Sequence, residues 1–310
     1  MGIVQETGME VMDILVRRAA IVRGIRRFFD ERGFVEVETA VRIAAPAPEE
    51  HIDCPVVLDG ATAHGGMPPR VEGAHGVSFL RASPELQMKK LLADGMDLIY
   101  QIGPCFREGE RGSRHSPEFT MLEWYRRGAS YMDVKADLEA LYAELSGGSA
   151  AFRDVLVRDA YLEHAGWDPW AEWDQDRFDV DMATRVEPAL KAMGGGVFLV
   201  DYPPQAASLS RVSVDGRTGL SRAERWEFYM DGLELANCFT ELCDRDEQAR
   251  RFERARENRR ALGESEYPLD EAFLESLPSI GFASGAALGV DRLVMALTGV
   301  EEISAVRPKI

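Results

Sequence analysis

The sequence predicts an α+β fold in which helices flank an antiparallel sheet. Three observations lead to this prediction: apolar residues at helical spacing near the start of the chain, strand-like runs through its middle, and an Asp-Gly pair between two further runs. The first helix is predicted over residues 11–33, where isoleucines and a phenylalanine recur at helical spacing and Gly33 marks the stop. Apolar and acidic residues then alternate over residues 34–38, which predicts a strand.

The middle of the chain alternates between irregular and regular segments. Residues 44–76 are rich in Ala, Pro, Gly and His and predict a long irregular connection. Residues 77–127 carry three strand-like runs around a helix near Glu85–Asp94. Residues 130–193 indicate a mostly helical, broken insert, and a strand follows at residues 196–202. We expect three tryptophans to provide packing within the insert: Trp167, Trp170 and Trp173.

The last third of the chain carries the clearest turn signal. Residues 226–236 contain Asp231 and Gly232 between two strand-like runs, a pattern that favours a two-residue hairpin turn. A charged helix is predicted over residues 244–262, and the glycine-rich end predicts a strand, a tight turn and a helix. No internal repeat or low-complexity segment is present, and the length fits one large domain or two small ones. We expect a single domain over residues 1–310.

Composition limits the class of protein. The chain has 310 residues, of which 45% are hydrophobic, enough for a full core. No apolar run is long enough for a membrane span, and the N-terminus lacks the basic-then-apolar order of a secretory signal, so the cytoplasm is the expected location. The cysteines lack CxxC spacing or a His-rich partner run, so we expect neither zinc nor disulfides but buried small side chains. They are Cys54, Cys105, Cys238 and Cys243.

The net charge bears on the kind of partner. The formal net charge is −17, whereas a protein that holds tRNA or DNA needs a basic surface to displace counterions from phosphates. The one dense basic run, residues 250–260, contains alternating acids and predicts a solvated helix face. Stable nucleic-acid binding is therefore not expected.

The predicted hairpin brings two carboxylates together. If Asp231 and Gly232 form the turn, Tyr229 faces Glu234, and Glu227 shares the face of Tyr229. Two carboxylates this close repel each other unless a cation lies between them, and a divalent ion that bridges phosphates would suit the position. The alternative is a pair of solvated strand carboxylates.

Two further clusters suggest phosphate binding. Residues 105–125 run from a strand through a polar loop into an aromatic-rich strand, and the loop carries Arg107, Arg111, Arg114 and His115. Arginines suit bidentate phosphate capture and an aromatic face suits a purine, although a charged surface loop is the alternative. Near the C-terminus, glycines would let the backbone approach a ligand while an arginine projects from a helix start; simple packing glycines are the alternative. These residues are Gly285, Gly289 and Arg292.

Taken in chain order, the clusters resemble the catalytic domain of class II aminoacyl-tRNA synthetases, and specifically its lysyl branch. The likeness rests on four segments that together cover nearly the whole chain. They are SPELQMKKLL from Ser83, the second motif with FTMLEWY from Phe119, GLELANCFTEL from Gly232, and the third motif with AALGVDRLVM from Ala286.

The resemblance implies an enzyme that binds ATP on a six- or seven-stranded antiparallel sheet and joins an amino-acid carboxylate to the α-phosphate. It implies that Arg107 and Arg292 hold the α- and γ-phosphates. Further nucleotide contacts would come from His115, Phe119, Glu234 and Gly289. Glu227 and Glu234 would hold Mg²⁺, in agreement with the hairpin. The amino acid would be bound by Ser83, Glu85, Glu123, Tyr125, Asn237, Glu241 and Ala287.

Within the lysyl branch, the chain resembles the truncated elongation factor P–(R)-β-lysine ligase family. A full lysyl-tRNA synthetase carries an N-terminal anticodon-binding domain, whereas the first helix and first motif begin here almost at once. The third motif has Ala287 where the synthetases have glycine, and the ligase family shares this alanine. The resemblance implies (R)-β-lysine or lysine as the small substrate, a lysine side chain of elongation factor P as acceptor, and a homodimer.

Two other functions stay open at this point. One is a free-standing catalytic relative that uses another acceptor such as tRNA, and the other is an inactive synthetase-like binding protein. The first motif also departs from the family pattern, because Ala40 stands where proline is usual, which weakens the local match and the dimer interface that this motif supports.

Two departures concern the site itself. The second motif has Arg-Glu-Gly in place of Arg-Asn-Glu, so Glu108 or Glu110 would have to supply the adenine contact. Strict strand alternation places Asn237 and Glu241 on the face opposite Glu234. A bulge near Ala236 or Cys238 would bring all three to one face.

Overall fold

The computed structural model describes residues 11–58, 77–148 and 151–308. The helices are α1 (Val11–Asp30), α2 (Glu85–Ala93), α3 (Tyr131–Ser146), α4 (Val157–Ala160), α5 (Gln175–Asp181), α6 (Glu187–Met193), α7 (Arg245–Leu262), α8 (Glu271–Ile280) and α9 (Val290–Thr298). The strands are β1 (Val35–Glu36), β2 (Arg42–Ile43), β3 (Val56–Leu58), β4 (Val77–Leu80), β5 (Leu98–Phe106), β6 (Glu118–Arg127), β7 (Phe152–Leu156), β8 (Gly196–Tyr202), β9 (Val212–Val214), β10 (Ser221–Met230), β11 (Leu233–Thr240) and β12 (Ala283–Gly289).

A large, mainly antiparallel sheet organises the fold. Its strands lie in the order β1-β5-β6-β12-β11-β10-β8-β7, and β9 pairs with β10. Parallel pairing is confined, within the described ranges, to β1 with β5 and β7 with β8. Strands β2, β4 and β3 form a second, three-stranded sheet. The predicted α+β fold with helices around an antiparallel sheet is confirmed, although the main sheet has nine strands where the resemblance implied six or seven.

Alternation along the central strands separates the sheet into two faces. On β6, Leu122 and Trp124 point into a core that also contains Phe28 of α1, Leu138 of α3 and Leu293 of α9. The intervening residues of β6 point to the other face, where α2 and α8 pack against part of the sheet. Successive side chains of a strand point to opposite faces. The central strands β6, β12, β11 and β10 therefore contribute to the core on one face and present polar groups on the other.

Most predicted elements are present, with modest differences in their ends. The first strand is shorter than predicted, and the helix near Glu85–Asp94 and the charged helix α7 have nearly the predicted bounds. Five elements were missed: β3 inside the predicted irregular connection, β7 inside the predicted helical insert, the short strands β2 and β9, and α8. The short β3 and β7 gain their structure from pairing with β4 and β8, a tertiary effect that local patterns do not show. The remainder of the predicted connection, residues 59–76, lies outside the described residues.

The insert packs around its aromatic residues as predicted. Trp167 is buried and its indole Nε1 donates a hydrogen bond of 2.9 Å to Asp181. Trp170 and Trp173 are partly buried against the same cluster, in which the rings of Tyr161 and Phe178 stack with their centres 4.5 Å apart. The insert therefore has a small core of its own against β8 and β10.

The cysteines behave as small buried side chains. All four are free thiols; three are buried and Cys243 is half-buried. Among the described residues there is also no helix that is long and apolar enough to cross a membrane.

Helix α7 has the solvated face that its sequence predicted, with Arg250, Arg254, Glu257 and Arg260 exposed, but one arginine of the basic run lies on its buried side. Arg259 is completely buried, and its guanidinium pairs with Asp53 at 2.6 Å. It also donates to the backbone carbonyls of Glu49 and Ser265, each at 2.8 Å, and lies over the ring of Tyr267. The arginine therefore fastens the irregular segment before β3 to α7. The charge pattern did not reveal this role because the acceptors before β3 lie on residues far away in the sequence.

We expect Arg259→Met to destabilise the protein by about 3 kcal/mol, because several buried carbonyls lose their donor and Asp53 loses its partner. Chemical denaturation followed by circular dichroism measures this change. The matched control is Arg260→Met, because Arg260 lies on the exposed side and pairs with Glu266. Equal denaturation midpoints for the two variants would contradict the structural role of Arg259.

Candidate active site

A cavity of about 310 Å³ lies on the face of the sheet opposite the α1, α3 and α9 core. We call it the central cleft. It brings together thirteen of the fourteen residues predicted for the site: Ser83, Glu85, Arg107, His115, Phe119, Glu123, Tyr125, Glu227, Glu234, Asn237, Ala287, Gly289 and Arg292. Glu241, the fourteenth, is buried next to the cleft but does not line it.

A bulge in β11 places the hairpin carboxylates with the rest of the site. Tyr229 faces Glu234 as predicted, but Phe228 then pairs with Ala236, which leaves Leu235 as the extra residue. The bulge is thus one residue before Ala236, close to where it was needed. Beyond it the parity of the strand changes, so Asn237 faces Glu227 and shares the face of Glu234.

Arg292 is held at one end of the cleft by Glu234, by His115 and by the backbone carbonyl of Arg114, to which its Nε donates at 3.2 Å. Its Nη1 donates to the backbone carbonyl of Glu234 at 3.0 Å and to the carboxylate Oε2 of Glu234 at 3.2 Å. Its Nη2 lies 2.7 Å from Nε2 of His115. Burial and the nearby guanidinium lower the pKa of His115, which favours a neutral imidazole that accepts a hydrogen bond from the arginine at this position. The arginine is therefore oriented before any ligand binds.

Glu227 has its own fixed partners. Arg225 donates to its Oε1 at 2.5 Å, and the hydroxyl of Tyr229 donates to its Oε2 at 2.7 Å. Arg225 also donates to the amide oxygen of Asn237 at 3.1 Å and so connects the hairpin carboxylate to the amide. The three residues 225, 227 and 229 share one strand face, so alternation alone would have pointed to the missed Arg225.

The hairpin carboxylates fit a magnesium ion shared with phosphates. Burial, followed by the charge of Glu227, raises the pKa of Glu234 against the opposing effect of Arg292 and Arg107. A cation between the two carboxylates would relieve both costs. In the described part of the chain, no three His, Cys, Asp or Glu side chains are arranged to hold a metal alone. One or two carboxylates plus phosphate oxygens is, however, a usual arrangement for Mg²⁺.

Arg107 reaches the middle of the cleft from the end of β5. Its Nη1 lies 3.5 Å from Glu110, and its guanidinium carbon is 5.1 Å from the ring centre of Phe119. Its Nε is buried and has no hydrogen-bond partner, as expected for a donor that awaits a ligand oxygen. Of the two acids considered for an adenine contact, Glu110 lines the cleft, whereas Glu108 is exposed and does not.

The opposite end of the cleft is acidic and largely buried. Glu123 is buried and accepts a hydrogen bond of 2.9 Å from the hydroxyl of Tyr125, but its Oε1 has no partner. Glu85, at the start of α2, pairs with the buried ammonium of Lys89 at 2.5 Å. That ammonium also lies 2.5 Å from Glu241, which connects Glu241 to the wall of the cleft.

Desolvation controls the charge of this acidic end. Burial and the neighbouring charge of Glu85 raise the pKa of Glu123 to about 8, although Tyr125 and Lys89 oppose the change. Burial also raises the pKa of Glu241 to about 8, because Lys89 shares its charge with Glu85 and offsets only part of the cost. Cationic groups of a ligand would stabilise both carboxylates in their ionised form.

Strand β12 forms the floor of the cleft with small residues. Ala287 pairs with Glu123 on one side and with Asn237 on the other, so its methyl group lies between the acidic end and the amide. A Cβ at Gly285 would come within 2.2 Å of the Tyr125 ring, so this glycine is needed for packing, as the alternative interpretation held.

Known proteins share this sequence over nearly its whole length. Residues 3–308 match the family model for class II tRNA synthetases (D, K and N). The chain is 36% identical to the elongation factor P–(R)-β-lysine ligase of Proteus mirabilis and 35% identical to the proteins of that name from Yersinia enterocolitica and Photorhabdus laumondii. Each match covers 94% of this chain and 93% of the relative.

The chain belongs to the class II tRNA synthetase family. Together with the ligases that it resembles, this membership identifies an ATP-dependent ligase. The resemblance stated from the motifs is confirmed, and the inactive binding protein is no longer a candidate. As a class II fold, the sheet supplies rigid strands from which both ends of the cleft are built.

The class II motifs did not reveal every polar group in the cleft. Glu49 lines the cleft and also an adjoining cavity of about 410 Å³, which shares Arg225, Glu227 and Glu234 with it. Burial raises the pKa of Glu49 against the effect of Arg107. The segment around Glu49 has no regular pattern, so no feature of the sequence indicated that this residue lines the cleft. Lys89, in contrast, lies four residues after Glu85, a helical spacing that would have suggested the pair.

The raised pKa of Glu123 should make the ligand-free protein less stable as the pH rises. Between pH 4.5 and 8 the folded protein holds a proton that the unfolded chain releases, so the free energy of unfolding falls with pH, by up to about 5 kcal/mol for this group. Glu123→Gln should remove that share of the slope. Guanidinium denaturation at several pH values measures it, with exposed Glu163→Gln as control. Equal slopes in all three proteins would refute the assignment.

Proposed function

We propose that the protein activates a diamino acid, (R)-β-lysine or lysine, as an aminoacyl-adenylate and transfers it to a lysine side chain of elongation factor P. In the first step a substrate carboxylate oxygen attacks the α-phosphorus of ATP, and pyrophosphate leaves. In the second step the acceptor amine attacks the activated carbonyl, an amide bond forms and AMP leaves. No side chain of the enzyme needs to act as a nucleophile.

One observation carries the proposal: a single cleft has arginines at one end and buried carboxylates at the other. Arg107 and Arg292 suit an anionic phosphate chain, whereas Glu85 and Glu123 suit ammonium groups. A substrate that carries a carboxylate between two amines would place the carboxylate towards the arginines. The cleft therefore supports catalysis by positioning and by electrostatic stabilisation of charge on the phosphate oxygens.

The phosphate end has a distinct role for each group. We assign the α-phosphate to Arg107, whose free Nε supports it, and the γ-phosphate to Arg292. Phe119 would stack on adenine and His115 would lie beside the nucleotide, with Gly289 at the cleft floor. Glu227 and Glu234 would hold Mg²⁺, which would offset negative charge on the phosphates when bound.

The amino-acid end explains selection for a diamino acid. Glu85 and Asn237 would bind near the amino group next to the reacting carboxylate, and Ser83 lines the same region. Glu123, Tyr125 and Glu241 would receive the distant ammonium. A neutral side chain would leave these buried carboxylates without a partner. Its binding would therefore be less favourable than that of a cationic side chain by about several kcal/mol. The methyl group of Ala287 would favour a β-amino acid by reshaping the floor.

The acceptor assignment rests on the names of the relatives and on charge. The relatives are named as ligases of elongation factor P, and a net charge of −17 is unfavourable for holding tRNA. An acceptor that takes part in translation would place the reaction in the cytoplasm. The proposal keeps the homodimer that the family resemblance implies, despite Ala40 in the first motif.

The decisive experiment measures ATP–pyrophosphate exchange with lysine isomers and then transfer to an acceptor. We expect (R)-β-lysine to stimulate exchange more than α-lysine, and we expect label from the adenylate on elongation factor P but not on total tRNA. Norleucine, which lacks the distant ammonium, is the negative substrate. If no lysine isomer stimulates exchange, the proposed function is rejected. Label on tRNA alone would favour the synthetase-like alternative.

Arg292→Ala should lower the rate of exchange about 100-fold while the protein stays folded, because one preorganised cation is lost from the phosphate end. Initial exchange rates at saturating amino acid measure the effect. Arg250→Ala is the matched control, since Arg250 is an exposed arginine on α7. An Arg292 variant as fast as the control would remove the γ-phosphate assignment.

A further inference from the structure

Lys89 is a buried cation that the proposed reaction does not itself require. It lies on α2 one turn after Glu85, and its side chain is 1% exposed. Its ammonium is 2.5 Å from Glu85, 2.5 Å from Glu241 and 4.9 Å from the ring centre of Phe239. The ammonium therefore lies between one acid that lines the central cleft and one that does not.

Three carboxylate oxygens near this lysine have no hydrogen-bond partner. They are Oε1 of Glu123 and both oxygens of Glu241, on residues that are 1% and 3% exposed. Glu241 has the ion pair with Lys89 but no well-aligned hydrogen bond from it. Buried oxygens of this kind are rare in native proteins and are expected where a ligand completes the site.

Stability alone does not explain the cluster. A buried ion pair contributes little net stability compared with apolar side chains of the same volume, because both charges must leave water. Here one ammonium is shared by two carboxylates, and in the described part of the chain it is the one cation within 4.0 Å of Glu85, Glu123 or Glu241. An arrangement that leaves excess buried negative charge suits a cationic ligand.

We propose that Lys89 is a positioning residue that holds Glu85 and Glu241 in place and favours the ionised form of Glu241, so that the cleft can receive the two ammonium groups of a diamino acid. This inference rests on the proposed function, which it deepens. Lys89 acts through the two acids: Glu85 lines the cleft, and Glu241 lies next to it. Because Lys89 occupies the position between the two acids, a substrate ammonium cannot bind there.

The surroundings of Glu241 define how its charge responds to pH. From α2 it faces Lys89 and Glu85, and from β6 it faces Tyr125. The thiols of Cys238 and Cys243 lie on its own segment; burial raises the pKa of each, so both are neutral near pH 7. Burial likewise keeps Tyr125 neutral. Lys89 is therefore the one group in this set that favours the ionised form of Glu241.

Lys89→Met tests the proposal with a side chain of similar length and no charge. Without the cation the pKa of Glu241 rises further, so more of it is protonated at pH 7. We expect the KM for the diamino acid to increase at least about tenfold, with a much smaller change in the KM for ATP. The acid limb of kcat/KM against pH should move up by about one unit or more. Lys90→Met is the control, because the neighbouring Lys90 pairs instead with Asp270.

Two more variants keep the test decisive if Lys89→Met folds poorly. Lys89→Arg retains the charge and should leave the acid limb near its original position. Glu85→Gln removes the acid that competes for Lys89, so the pKa of Glu241 should fall and the limb should move to lower pH. Shifts of opposite sign from two single substitutions are not expected from general loss of packing. An unmoved limb in both Lys89→Met and Glu85→Gln would overturn the proposal.

A carboxyl titration by ¹³C NMR separates this inference from the proposed reaction. Glutamate-labelled protein would be titrated with and without Lys89→Met, and the Glu241 signal would be identified by its loss in Glu241→Gln. A higher pKa for Glu241 in the variant supports the role of Lys89 even if no lysine isomer gives exchange, an outcome that rejects only the reaction. Normal exchange with an unchanged Glu241 titration rejects only the role of Lys89.

Discussion

Burial of negative charge on one face of the sheet is the constraint on which the site depends. Glu123 and Glu241 are removed from water by the elements that cover this face, and burial is the leading cause of the raised pKa of each. The protein provides only part of the compensation, through Arg292 at one end and Lys89 at the other. Part of the cost of burying these carboxylates therefore remains, and a ligand that brings a cation to them would remove it. The cleft thus favours ligands that carry positive charge.

The bulge at Leu235 determines which residues of β11 lie on the cleft face of the sheet. Without the extra residue, Asn237 would pair with Trp226 and point into the core, where its amide would have no partner. With it, Glu234 shares the face of Asn237, and two neighbouring residues, Leu235 and Ala236, both reach the core. One irregular position in β11 therefore permits a dense apolar core and a polar cleft on opposite sides of the same strand.

Local periodicity predicted the parts of the fold that depend on one segment at a time. The helix α1, the hairpin turn and the shared face of Glu227 and Tyr229 follow from spacing alone, and the family resemblance named residues that line one cleft. The sequence could not show that Arg259 donates to a backbone carbonyl 210 residues away, or that Lys89 joins two acids from separate elements. Such pairings depend on how α2 and α7 pack, and packing geometry is not encoded in the pattern of either helix. The bulge was anticipated only because the expected roles of Asn237 and Glu241 demanded it.

The two ends of the cleft differ in how rigidly the protein fixes them, and this difference bears on selectivity. At the phosphate end, Arg292 and Glu227 each have two or more directed hydrogen bonds, so the charges are oriented before a ligand arrives. At the amino-acid end, the acids have a shared ion and unpartnered oxygens, so their charge state responds to what binds. Phosphates are common to many metabolites and need only a preorganised receptor. A diamino acid must be distinguished from abundant monoamino acids, and buried carboxylates with unpartnered oxygens provide that distinction, because a neutral side chain supplies no ionic partner there.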